Sequence, residues 1–122
     1  MARTALTVQE LGRNGEASTI TWTSADATND HEFQNTGREI LMCRNENAAT
    51  RDVTVVSVSD RFGRSGDVTK TVPAAAAGAA GFAAWGPLLP ENFNSSGNLA
   101  YVDLTVDTDL EFAVIRIHNP VR

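Results

Sequence analysis

Residues 38–44, REILMCR, carry apolar side chains on both parities of an extended chain, Ile40 and Met42 on one and Leu41 and Cys43 on the other. A strand of this kind needs protein on each face, so it predicts a central strand rather than a half-wet surface strand. The polar residues 45–50 follow as a turn, and 52–59 resumes the β pattern with Val53, Val55, Val56 and Val58. The adjacent Val55 and Val56 break alternation and predict a bulge or a second doubly covered strand. Glu39 and Asp52 read as solvent-facing flanks of this central pair, with a paired-carboxylate hydrolase site as the alternative.

The remaining chain repeats the theme with weaker signals. Leu6 and Val8 alternate with Thr7 and Gln9 in an extended arm or edge strand over residues 1–14, ahead of a single β-domain over 15–122. In 18–24 Ile20 and Trp22 are expected to face inward, and Phe33 does the same in a short strand over 31–34. A Gly-punctuated turn at 61–66, RFGRSG, leads to alternation over 67–72 that Pro73 stops. Residues 74–84 are Ala-rich but interrupted by Gly78 and Gly81, each opposing a helix by roughly 1 kcal/mol, so an irregular or mobile loop is expected there, with a short helix as the alternative. Residues 82–93, FAAWGPLLPENF, show neither a strand nor a helix period. Two further strands are expected over 99–106 and 110–117. About eight short strands with frequent turns and no sustained helical period predict an all-β fold, an antiparallel β-sandwich of jelly-roll-like or small-barrel form.

With 122 residues the chain can bury roughly two-thirds of its unfolded surface in one core. Its single Cys43 has no partner for a disulfide or a cysteine-based metal site and reads as a small buried apolar residue. A formal charge of -5, with 15 acidic against 10 basic residues, argues against a nucleic-acid partner, because no basic block is present to neutralise phosphates. No apolar run is long enough for a membrane helix, and residues 1–15 lack the order of a signal peptide, so no membrane partner and a reducing cytoplasm are expected.

Catalytic patterns are sparse. His31 and His118 stand in no ligand-spaced motif, and the sequence contains no GxSxG, P-loop or GxGxxG. Asp103, Asp107 and Asp109 read as turn formers and outward strand residues rather than cation ligands. No catalytic, metal-binding or cofactor-binding residue, no cofactor and no enzymatic activity are therefore expected.

Several short motifs in order carry a resemblance: ARTALTVQEL at 2–11, NTGRE at 35–39, Arg44-Asn45, VTV at 53–55, TVPA at 71–74, GP at 86–87, FN at 93–94 and SGNLAYVDL at 96–104. Together they resemble, over nearly the whole length, the small all-β head decoration or cement proteins encoded beside the major capsid gene of tailed bacteriophages. The departure is 74–84, longer and richer in Ala. The resemblance implies a virion protein, assembled in the host cytoplasm, that binds the outer capsid surface and bridges capsomers. Its implied partners are the major capsid protein and copies of itself, as a trimer in preference to a dimer. It brings no catalytic residues.

For such a role two stretches offer contacts. One is the 1–14 arm, with Arg3, Leu6 and Val8, which can add a strand to a neighbour's edge. The other is 82–93, where Phe82, Trp85, Leu88, Leu89 and Phe93 lie in a stretch without a regular period and are expected at a subunit or shell contact. Two rival readings are a head-to-tail connector or tail component, and a carbohydrate-binding sandwich on the virion surface. For the latter, Trp22 and Trp85 are the sugar-stacking candidates, with Trp22 read as core.

Overall fold

Eleven strands fall into two sheets in the computed structural model, which describes residues 2–11 and 19–117, and they form the β-sandwich that the alternation predicts. Residues 12–14 of the expected arm, Ser18 and His118 lie outside the described residues. One sheet runs β1 (Thr4–Ala5), β4 (His31–Gln34), β10 (Leu99–Leu104), β6 (Arg51–Val55) and β7 (Val68–Val72), with β9 (Asn94–Ser95) also on β10. The other runs β2 (Val8–Glu10), β11 (Leu110–Arg116), β5 (Glu39–Asn45) and β8 (Gly81–Trp85), with β3 (Thr23–Ser24) also on β11. Helix among the described residues amounts to one turn, α1 (Pro90–Phe93), and a 3-10 turn at Ser96–Asn98.

The doubly apolar stretch is central, as expected. β5 pairs with β11 from Leu110↔Asn45 to Arg116↔Glu39 and with β8 from Leu41↔Trp85 to Asn45↔Gly81. Leu41 and Cys43 face the core between the sheets, and Met42, on the opposite parity, is buried as well. Burial pushes the Cys43 thiol up to about 12, so it behaves as a small apolar side chain rather than a nucleophile. β6 stops at Val55, and the next backbone N–H, that of Val56, bonds Tyr101 O, so the paired strand is shorter than the predicted 52–59.

Glu39 is not the solvent-facing flank expected of it: no part of its surface is exposed. Its carboxylate accepts the Thr36 N–H at 2.6 Å, the Thr36 hydroxyl, the Arg38 N–H and the Arg116 guanidinium. Burial works to raise its pKa, but these donors outweigh it and hold the group below the usual carboxylate range. Asp52 lies on the other sheet, bonded to the Thr71 hydroxyl at 2.6 Å, so the two carboxylates share no site.

The first residues take the edge-strand form of the two expected, but not the antiparallel pairing. β1 lies parallel to β4 (Thr4↔His31) and β2 parallel to β11 (Val8↔Val114), so the sandwich is not wholly antiparallel. The chain crosses from one sheet to the other within two residues, and Leu6 at the crossing is buried. Residues 4–10 are thus edge strands of their own fold, which is where their backbone groups find partners.

The Ala-rich stretch is a turn and a strand rather than an irregular loop. Ala76 and Ala79 exchange both backbone hydrogen bonds at 2.9 Å around Ala77 and Gly78, whose φ values of 52° and 79° suit a tight hairpin turn. β8 follows with Gly81 and Trp85 inward and Phe82 outward, a period of two that Ala83 and Ala84 are too small to advertise. Gly81 packs directly on the β7 exit: a Cβ there would lie 1.8 Å from Pro73 O and 2.5 Å from Pro73 C.

Two substitutions test this packing. Trp85→Ala is expected to cost about 3 to 5 kcal/mol and to lower Tm by roughly 10 °C or more, read by thermal denaturation. Gly81→Ala is expected to cost about 1 to 3 kcal/mol despite adding a single methyl group, because backbone rather than a flexible side chain must move. An unchanged Tm in either variant would contradict the packing described.

Candidate interaction surfaces

The residues expected to meet a partner separate into four groups. Leu6, Trp85 and Leu88 belong to the core, with relative exposures of 4, 2 and 7%, which corrects their assignment as contact residues. Trp85 is inward by strand alternation, and the loop carrying Leu88 is tied down where Asn35 Nδ2 donates to Leu88 O at 3.1 Å. Val8 and Phe93 are half-buried and pack against that same core, so they too are largely committed. Arg3 is engaged within the chain: its guanidinium donates to Asp103 Oδ1 at 2.6 Å and to His31 O at 3.2 Å, and lies 4.1 Å from the Tyr101 ring centroid. Phe82 and Leu89 remain exposed, at 51 and 57%.

Among the described residues the most exposed large apolar side chain is one that turn chemistry alone did not single out. Phe62, 68% exposed, stands in the loop between β6 and β7, and the sequence marks it only as an aromatic between Arg61 and Arg64 beside a glycine. Asp60 builds that loop. Its Oδ1 accepts the N–H groups of Phe62 (2.8 Å) and Arg64 (2.9 Å), and its Oδ2 accepts the Arg64 guanidinium. The Asp60 N–H in turn donates to Arg64 O at 2.8 Å, and Gly63, at φ 77°, turns the chain. The Arg64 N–H leads the donors that hold the Asp60 carboxyl below its ordinary range. Both guanidinium carbons, of Arg61 at 5.2 Å and Arg64 at 5.0 Å, lie within cation–π reach of the Phe62 ring.

This loop and α1 share one end of the sandwich. Val58 N–H donates to Asn92 O at 2.7 Å, and Arg61 pairs with Glu91 at 3.5 Å. Leu89, the residue before α1, therefore lies at the same end as Phe62. A polar recess of about 360 Å³, lined in part by Ser57, Arg64 and Asn92, separates the loop from α1.

A second aromatic group sits on the outer face of the β5 sheet. Trp22, expected in the core, is half-buried: β3 is too short to carry it inward, and its ring packs instead under the Arg44 guanidinium, 4.5 Å away. Phe82 meets its edge at a centroid distance of 6.1 Å, and Arg44 is fixed by Glu111 at 2.8 Å. One Trp22 face is thereby occupied by a side chain of the protein itself, and the other tryptophan proposed for sugar stacking, Trp85, is buried.

Three aspartates weighed as cation ligands are engaged within the fold. Asp103 pairs with Arg3, Asp107 Oδ2 accepts the Ala27 N–H, and Asp109 Oδ2 accepts Asn47 Nδ2. Among the described residues no group of three His, Cys, Asp or Glu side chains is placed to hold a metal ion. No protein-family model, curated protein or solved structure matches the chain.

Proposed function

We propose that this protein is a non-enzymatic virion structural protein that decorates and stabilises the outside of a tailed-phage capsid by bridging capsomers. The observation that carries this reading is the end of the sandwich where Phe62 and Leu89 stand exposed on a braced scaffold. An aromatic side chain presented by a loop already ordered by Asp60 loses little further freedom on docking, which is the condition under which a small contact binds usefully. The engagement of Glu39, His31, Cys43 and Asp60 in packing and hydrogen bonding fits a role without chemistry.

The partners in this reading are the major capsid protein and further copies of this chain, as a trimer. Binding only the assembled shell stabilises that state by mass action. A symmetric oligomer strengthens weak individual contacts, since second and third attachments are intramolecular once the first has formed.

Purified particles resolved on a gel are expected to carry this protein at a copy number near that of the shell subunit. A few copies per particle would instead mark a connector. The double variant Phe62→Ala with Leu89→Ala is expected to change folding stability by no more than about 1 kcal/mol, because both side chains are exposed. Its affinity for undecorated shells should fall by about 30-fold, corresponding to roughly 2 kcal/mol for an interface anchor. Unchanged affinity would remove this end from the contact.

A further inference from the structure

His31 is fully buried at the start of β4, and both of its ring nitrogens are bonded to backbone. The Asp26 N–H donates to Nε2 at 2.9 Å, so Nε2 must present a lone pair; the proton of the neutral ring is then on Nδ1 and donates to Thr4 O at 3.1 Å. The ring also meets Phe112 of the opposite sheet edge-on, at a centroid distance of 5.1 Å. One imidazole thus connects the crossing segment, the 25–30 turn and the facing sheet. Thr4 is held to the same turn again, by its N–H to Asp30 O and its hydroxyl to Asp26 Oδ2.

We propose that His31 is an acid-sensitive latch that fastens residues 3–10 into both sheets and releases them when its ring takes up a second proton. In the protonated ring both nitrogens carry hydrogen, so the Asp26 N–H faces another N–H and loses its acceptor. A positive charge also enters a site packed against Phe112. Release of the segment uncovers the edges of β4 and β11 and the core pocket that Leu6 fills.

The surrounding charges set the direction of the effect. From the turn, Asp26 and Asp30 face the ring and favour its charged form; from the crossing segment Arg3 bonds the His31 carbonyl, and its charge is met by Asp103 of β10. Phe112 is the contact from β11 and brings no charge. Asp26 is held down to about 2, first by the Thr4 hydroxyl and then by Asn29, so it stays ionised throughout the relevant range. Asp30 is engaged by the Leu104 N–H at 3.0 Å. Burial outweighs these carboxylates and the Thr4 bond and keeps the ring below the ordinary histidine value. With the closed-state pKa depressed, the opened segment binds the extra proton more readily. The latch is therefore fully effective above about pH 6.5 and weakens as pH falls from there towards the closed-state value, with the open fraction rising by up to about tenfold per pH unit for one proton.

Amide hydrogen exchange followed by NMR between pH 7.5 and 5, expressed as protection relative to the unstructured chain, tests this on the whole protein. Protection at Thr4, Leu6 and Asp26 is expected to fall by up to about tenfold per unit below pH 6.5, while the amides of β5 and β6 keep theirs. In His31→Gln, whose side chain supplies one donor and one acceptor at every pH, the same three amides should show a flat profile; His118 is present in both proteins and serves as the internal control. Protection at the three sites that does not change with pH, or that falls together with that of β5 and β6, would overturn the latch, and so would an unaltered pH profile in His31→Gln. If that variant does not fold, NMR titration of the wild-type His31 ring decides: loss of N-terminal protection must follow the ring's own protonation, and loss at a different pH overturns the proposal.

Discussion

A carboxylate without solvent contact fixes the register of the central ladder. β5 is apolar on both faces, so a slip of one residue against β11 would exchange one apolar row for another and meet little hydrophobic resistance. The polar residues at its two ends remove that freedom. At one end Glu39 lies opposite Arg116 and receives its guanidinium together with Thr36 and Arg38 donors. At the other, buried Asn45 donates to Ala49 O and Pro73 O and accepts the Asn47 N–H. A displaced register would withdraw Arg116 from the buried Glu39 carboxylate, which costs several kcal/mol, and would carry Asn45 away from Pro73 O across the sandwich. β8 depends on β5, and β2 and β3 on β11, so the whole of that sheet inherits its alignment from these two ends.

The outward character of the molecule follows from how thoroughly its interior is closed. The crossing segment covers one side, with Leu6 between the sheets, and the contact of Gly81 with Pro73 brings the β7 exit against β8 on another. Large apolar side chains that remain outside then fall on loops and on the outer face of the β5 sheet. Phe62 differs from the others in being held by a local hydrogen-bond set that requires nothing from the core beyond the ends of β6 and β7. A change at the tip can therefore alter what is recognised without disturbing the sandwich.

Much of the architecture was legible in the sequence because alternation is a local property. The doubly apolar 38–44 and the regular 99–106 and 110–117 stretches became β5, β10 and β11. Where the reading departed from the structure, the missing information lay across the sandwich. Ala83 and Ala84 give β8 almost no apolar contrast, and the need for Gly81 arises from Pro73, a contact no linear pattern displays. Trp22 has the parity of a core residue, but β3 is two residues long and the ring found Arg44 instead. Glu39 looked like a surface charge because Arg116, which makes its burial tolerable, is 77 residues away. Of the contact residues, Phe82 and Leu89 kept an exposed surface, while Trp85 and Leu88 closed the core, a distinction that depends on tertiary packing and not on composition.

The parallel pairing of β2 with β11 also has a bearing on how the chain reaches this state. Arg116 meets Glu10 across 106 residues of intervening chain, and β5 likewise waits for β11. Closing so long a loop adds little to the equilibrium cost, which grows only logarithmically with length, but it slows the search. During synthesis β5 and β2 emerge well before the strand that lies between them, leaving an apolar strand with one neighbour missing. Folding is thus tied to completion of residues 110–116, and until then the nascent chain presents the kind of unpaired edge on which chaperones and aggregation compete.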